Sequence, residues 1–550
     1  MNEHSNQPEV VVVGSGAAGM TAAIVAHDHG ARVVILERTN KVGGTTAVSG
    51  GGIWIPCNHH MGDLGIEDNR EDALTYCKKL AMGRVEEALI ESFVDTAPEM
   101  IRYIEQHTPL RFHAMTAPDY HPEVEGGRSS GRSIEPEPFD TNELGEWKEH
   151  LRPANAFTFP ITRQEAFGEY DAFYRPWLVP QDLAVERMMN GVVTLGQALA
   201  AGLLKAVLDR GIEIRLETRV RGLIIEDGEV IGVRTENEDN GSAYINASSG
   251  VVLATAGFEW NKRLTHKFIG GEIENPNSPP FNEGDGLIMA MEVGADLANM
   301  NEVWNYPSIM IPGESYEGHP LSRAITAERN GPHVIWVNRH GRRFVNEAAN
   351  YNSIGKTFQW IDTTTGEYQN LPAWAIIDSQ YREKYVLGTT MPDDSDPQWL
   401  VSADTISELA EKIGINSPEL QDTIERWNQF VRNGRDEDFG KGESLYDRFQ
   451  GDKEAVHPNL GSVEKGPFYA IPIHTGALGT KGGPRTNASA QVMSVRNQPI
   501  PGLYAAGNVT ASITGPGYYG RGATLGPAMT WGYKAGQHIA HERCIKRQVN

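Results

Sequence analysis

The run Val10-Val11-Val12-Val13 leads without a break into Gly14-Ser15-Gly16-Ala17-Ala18-Gly19, and this juncture constrains the fold more than any other stretch of the chain. Four consecutive β-branched residues suit a parallel strand buried on both faces. Met20 to His29, closed by Gly30, has the small and apolar residues of a packed helix, and Arg32 to Leu36 reads as a second strand ending on Glu37. A lone GxGxxG says little. Set between a strand and a helix, with an acid at the end of the next strand, it is the fingerprint of a dinucleotide-binding βαβ unit. Gly14 permits the tight turn, Gly16 lets the backbone approach a pyrophosphate, and Gly19 lets helix and strand pack closely. The helix N-terminus offers free N–H groups to phosphates, and Glu37 stands where a carboxylate accepts from ribose hydroxyls.

The 550 residues are enough for two or more domains around a large core. The net charge of −23 argues against nucleic acid as a partner and against a basic patch holding an anionic membrane. Cys57, Cys77 and Cys544 form no CxxC pair and no disulfide framework, which fits a reducing, cytoplasmic setting. The polar, acidic start lacks the features of a secretory signal, and no apolar run approaches the ~20 residues of a membrane span.

Beyond the first unit, residues 60 to 190 read as helical and rich in loops. Val192 to Leu208 has the pattern of a helix, while Glu213 to Leu216, Gly222 to Ile225 and Val230 to Arg234 read as strands, the last two joined by the turn Glu226-Asp227-Gly228-Glu229. Ser249 to Gly257 is a buried strand entering a glycine turn. From about Asn301 to Val463 the composition changes, with helices expected over Ser407 to Lys412 and Pro418 to Arg432. This stretch reads as an inserted second domain, after which the chain returns through Ile500 to Asn508.

The fingerprint does not separate NAD from FAD. Lys41-Val42-Gly43-Gly44-Thr45-Thr46-Ala47-Val48-Ser49-Gly50-Gly51-Gly52 resembles the segment along the flavin in the fumarate reductase and succinate dehydrogenase superfamily. Gly502-Leu503-Tyr504-Ala505-Ala506-Gly507-Asn508 resembles that superfamily's second FAD segment. Gly526-Pro527-Ala528-Met529-Thr530 looks like the helix start near the flavin's pyrimidine end, where a helix dipole stabilises negative charge on reduced flavin. The resemblance implies an α/β fold: a Rossmann-like FAD-binding domain of glutathione-reductase type over 1–302 and 462–550, with an inserted α+β catalytic domain over 303–461. It implies FAD contacts from Gly14, Ser15, Gly16, Ala17, Ala18 and Gly19, from Glu37 and Arg38, and from Gly43, Gly44, Thr45, Thr46, Ser49, Gly50 and Gly51. Further contacts are implied from Val220, Ala256, Gly257, Asp285, Gly507, Asn508, Gly522, Thr524 and Leu525. Succinate dehydrogenases carry the flavin covalently on a histidine of the first loop. Thr45-Thr46 stand there instead, so the FAD is expected to be non-covalent.

Within the superfamily the chain resembles the 3-ketosteroid dehydrogenases, mainly the Δ1 type, over nearly its whole length. The resemblance rests on Asp119-Tyr120-His121-Pro122-Glu123 with Gly131 to Pro136, on Arg343 to Tyr351, on Leu478 to Gly483, and on Tyr518 through Thr530. It implies removal of two hydrogens from adjacent carbons beside a ring ketone, the α-proton to a base and the β-hydrogen as hydride to the flavin, with an external electron acceptor. Tyr518 matches the tyrosine whose hydroxyl donates to the ketone, and Gly522 the glycine whose N–H is the second donor. Tyr351 matches the base and Tyr120 the tyrosine supporting it. To work as phenolate near neutral pH a tyrosine base, with its usual pKa of about 10, must be depressed by neighbouring donors or a helix N-terminus, and an alkaline optimum is expected.

One stretch departs from the steroid enzymes. They carry a Pro-Gly-Pro-Gly run after the donor tyrosine, and here the residues are Tyr518-Tyr519-Gly520-Arg521-Gly522. Arg521 either points to solvent or meets a carboxylate on the substrate, since arginine pairs planar acids in bidentate fashion. The second case makes a smaller cyclic ketone, such as a cyclohexanone or an oxo-cyclohexane acid, the alternative substrate. Two other readings are weaker. Fumarate reductases place a proton-donating arginine a few residues after the Asn-Glu pair, where Ala348-Ala349-Asn350-Tyr351 offers none. A flavin module without activity leaves the donor pair and base without purpose. Cys57, His59 and His60 complete no zinc spacing, so no metal is expected. Arg342 and Arg343 read as bracing the domain interface, and His474-Thr475 as neighbours of the flavin.

Overall fold

The computed structural model describes residues 7–155, 160–237 and 241–549. The valine strand Val10–Val13 lies inside a six-stranded sheet, parallel to Val33–Leu36 on one side and Gly250–Leu253 on the other. Glu213–Arg215 extends the sheet beyond Val33–Leu36, and Pro499–Ala505 beyond Gly250–Leu253. Gln491–Met493 closes that edge in antiparallel fashion. The valines alternate between two cores: Val10 and Val12 face one, Val11 and Val13 the other. The first core is roofed by the helices Ala17–Asp28, Leu195–Asp209 and Leu525–Val549. Small residues let them cross closely: a Cβ on Gly532 would stand 2.4 Å from the Ala18 carbonyl oxygen, and one on Gly536 2.7 Å from that of Ala22. The second core is covered by an antiparallel sheet of Arg219–Glu226, Glu229–Asn237 and Gly241–Asn246.

The helix expected from Val192 starts instead at Leu195. Val192–Val193 pairs with Phe139–Asp140, and Thr194 stays extended, because two β-branched residues serve a strand better than a first helical turn. Between residues 53 and 136 a small sheet forms from Ile53–Trp54, Phe112–Ala114 and Ser133–Pro136. A separate four-stranded antiparallel sheet takes Val334–Val337, Ala373–Asp378, Phe468–Ile473 and Val401–Ala403, in that order. Helices Ile406–Ile413 and Ser417–Asn433 pack on one of its faces. Phe468–Ile473, beyond residue 461, therefore belongs to this sheet, and Val303–Asn305 pairs with Ala477–Thr480. Among the described residues no helix is long and apolar enough to cross a membrane.

Candidate active site

One large cleft runs from the glycine loop to a cluster of tyrosines that includes Tyr120, Tyr351 and Tyr518. Gly14 has φ +106°, and a Cβ there would meet the Ala254 carbonyl oxygen at 2.4 Å. A Cβ on Gly19 would meet the Gly14 oxygen at 2.1 Å. Gly16 differs: it is extended, and its hypothetical Cβ meets only Thr46 Oγ1 at 3.6 Å. Protein packing thus dictates the first and third glycines, whereas the second opens onto the cleft, as a pyrophosphate seat requires. Gly16→Val should therefore fold, melting like flavin-free wild type, but purify without flavin, while Gly19→Val should fail to fold; thermal melts and flavin absorbance test the contrast.

Around this loop the polar groups are ordered. Glu37 accepts from the Ser15 hydroxyl at 2.6 Å and from the N–H and hydroxyl of Thr39 at 3.0 Å each, leaving it buried but on the cleft wall. Thr46 Oγ1 accepts the Ala17 N–H at 2.9 Å. At the outer end Asp285 pairs with Arg38 and Arg219.

At the other end four tyrosines meet. The Tyr120 and Tyr351 hydroxyls are 2.7 Å apart, and Tyr351 lies 3.5 Å from the Tyr518 hydroxyl, which is 3.0 Å from Thr524 Oγ1. The Tyr306 ring packs on Tyr351 at 4.3 Å. Tyr518 and Gly522 leave one turn, in which Gly522 has φ +89° and a Cβ would strike the Gly52 carbonyl at 2.2 Å. The Gly522 N–H has no acceptor among the described residues. A hydroxyl and an N–H presented from one turn can hold a carbonyl oxygen and stabilise negative charge on it. The sequence left open whether neighbours depress the tyrosine base. They do not: burial pushes Tyr351 well above its usual pKa, and Tyr120, Tyr518 and Tyr306 push the same way. Burial likewise raises Tyr120, partly offset by Arg521.

Most residues expected at the cofactor line the cleft: Gly14 to Ala18, Glu37, Arg38, Gly44 to Thr46, Ser49 to Gly51, Val220, Ala256, Asp285, Gly507, Asn508, Gly522, Thr524 and Leu525. Tyr120, Tyr351 and Tyr518 line it as well. Gly19, Gly43 and Gly257 do not. They stand behind the wall, where a Cβ would strike Gly14, Ala47 and Thr480 respectively. His474 is no neighbour of the cleft; its ring bonds Glu274 at 2.8 Å. Arg343 braces the inserted segment from within, bonding Glu347 and Asp436, and Arg342 pairs with exposed Glu419. Arg521 does not face solvent: it lines the cleft and its Nη1 is buried. Sequence reasoning missed Arg163, Tyr306, Arg329 and Tyr446, all on the wall. Arg329 donates to the carbonyls of Glu347 and Ala349, entering beside Tyr351 from a different segment. It also missed Glu105, whose two oxygens lie 2.7 and 3.0 Å from His59 and His60, a cluster of metal-ligand type away from the cleft.

The cradle and tyrosine cluster define a flavin-dependent oxidoreductase, and comparison with known proteins agrees. The family described as FAD binding domain matches residues 9–525. The chain is 39% identical to the 4-oxocyclohexanecarboxylate 2-dehydrogenase of Sinomonas cyclohexanicum, covering 97% of this chain and 92% of that one. It is 37% identical to the 3-oxosteroid 1-dehydrogenase of Mycolicibacterium smegmatis, covering 98% of each. The structure superposes on the 3-ketosteroid Δ1-dehydrogenase of Sterolibacterium denitrificans, in complex with 1,4-androstadiene-3,17-dione, with a TM-score of 0.92, 35% identity and coverage of 98% and 100%. The chain belongs to the FAD-binding family that contains the 3-oxosteroid dehydrogenases. It binds FAD and is an oxidoreductase acting on CH–CH groups.

Proposed function

We propose that this enzyme desaturates a cyclic ketone between the carbons α and β to its carbonyl, using non-covalent FAD. The observation that carries the reading is the meeting of Tyr518 and Gly522 with the Tyr351–Tyr120 pair on one wall of the cleft. FAD, when bound, supplies the acceptor for the β-hydrogen, which leaves as hydride. The residues of the chain do the rest. The Tyr518 hydroxyl and Gly522 N–H donate to the carbonyl oxygen and stabilise the charge that builds there as the α-proton departs. Tyr351, in its ionised form, takes that proton and becomes the neutral phenol, and Tyr120, 2.7 Å away, holds its oxygen in place. The surrounding rings keep water from the site. The cleft wall carries no histidine or cysteine among the described residues, which supports a non-covalent flavin.

The named relatives act on 3-oxosteroids and on a 4-oxocyclohexanecarboxylate, and a ring ketone is the chemistry they share. The steroid relatives support a 3-ketosteroid desaturated at Δ1; Arg521 in the cleft favours the smaller ring. Dye-coupled turnover of a panel of 3-ketosteroids and monocyclic ketones tests the reading. Enone formation from at least one class is expected, and none from either would refute it.

A further inference from the structure

We propose that Arg521 anchors a carboxylate carried by the substrate, so that the ketone processed here is a small-ring oxo acid. The inference rests on the ring-ketone reading above and assigns the other end of the same substrate.

Arg521 directly precedes Gly522, so its side chain leaves the turn that presents the carbonyl donors. Its guanidinium carbon stands 5.9 Å from the Tyr120 ring, 5.7 Å from Tyr446, 5.1 Å from Phe167 and 5.0 Å from Phe449. Rings hold a planar guanidinium by their faces but satisfy none of its N–H groups. Nη1 is buried without a hydrogen-bond partner, and among the described residues no carboxylate pairs with Arg521. Arg38 pairs with Glu283, Arg152 with Glu317 and Arg219 with Asp285, and Arg329 donates to two backbone carbonyls, although among the described residues a buried Nε on each of Arg152 and Arg329 also lacks a partner. A buried guanidinium with unmade hydrogen bonds is costly, and a planar carboxylate is the group whose geometry completes it.

The spacing is compatible with a small ligand. The Tyr120 ring is 4.9 Å from the Tyr518 ring and 5.9 Å from the guanidinium, so the two lie within about 11 Å of each other across one aromatic ring. A single six-membered ring, with ketone and carboxylate at opposite ends, bridges such a gap.

The test compares kcat/KM for 4-oxocyclohexanecarboxylate and its methyl ester in the holoenzyme, Arg521→Met and Arg521→Lys. The wild type should prefer the acid by about 100-fold or more, because the neutral ester leaves the guanidinium unpaired. Arg521→Met should bring the ratio close to one, and Arg521→Lys should restore part of it. A wild-type ratio near one, or a ratio unchanged in Arg521→Met, overturns the anchor. If neither compound nor any other ring ketone is oxidised, the ring-ketone reading fails by itself. The anchor is then read with cyclohexanecarboxylate, which has no ketone to oxidise. Its dissociation constant, followed by perturbation of the flavin spectrum, should rise at least about tenfold in Arg521→Met; absence of binding to the wild type, or equal binding to both, overturns it.

Discussion

Replacing Tyr518 with phenylalanine should lower kcat by about 100- to 1,000-fold while the flavin stays bound. The ring keeps its place without the hydroxyl. It is 3% exposed, packs on Trp304 at 4.6 Å, and follows a turn whose carbonyls at Gly515, Pro516 and Gly517 accept from Lys481 Nζ at 3.3, 3.3 and 2.7 Å. The substitution therefore removes the hydroxyl, with its contacts to Thr524 and Tyr351, and leaves the packing of the ring intact. If that donor acts mainly as charge develops on the ketone, kcat and kcat/KM fall together, whereas a purely structural hydroxyl would lower the melting temperature and spare kcat. Steady-state kinetics with flavin content measured on the same preparation separates the two outcomes.

Tyr351→Phe should cost about 100- to 10,000-fold by removing the base, and it should also change the pH profile. The sign follows from the environment. Burial and three neighbouring tyrosines raise Tyr351 above its usual pKa, so its ionised form is scarce at neutral pH and grows as pH rises. Wild-type kcat/KM should climb through the alkaline range, and the residual activity of Tyr351→Phe should be flat across it. Profiles measured between about pH 6 and 10 check this; a flat wild-type profile removes Tyr351 from the role of base.

The cofactor end of the cleft was legible in the sequence because its determinants are local. The strand, loop, helix and acid at Val10 to Glu37 lie in one short segment, and the steric demand at Gly14 and Gly19 is set within that unit and by the neighbouring strand end at Ala254. The substrate end was legible only through the resemblance at Tyr120, Tyr351 and Tyr518. Its other members come from distant segments with no motif of their own. Tyr446 packs on Tyr120 at 5.1 Å across more than three hundred residues of chain, and Phe167 meets Arg521 across a similar span. Whether Arg521 faced solvent or the cleft depended on those rings. His474 shows the opposite error: placed near the flavin by its position in the sequence, it turns to Glu274 instead. The helix expected from Val192 began late because periodicity cannot see the partner strand at Phe139–Asp140.

The central claim is that the site takes hydrogen from a saturated ring ketone. Mixing the oxidised holoenzyme anaerobically with such a ketone, with no other acceptor present, tests it directly. The account predicts bleaching of the flavin band near about 450 nm, with one equivalent of α,β-unsaturated ketone formed per flavin reduced. A flavin that stays oxidised with every steroid and monocyclic ketone, in an enzyme whose reduced form turns over fumarate, would contradict it.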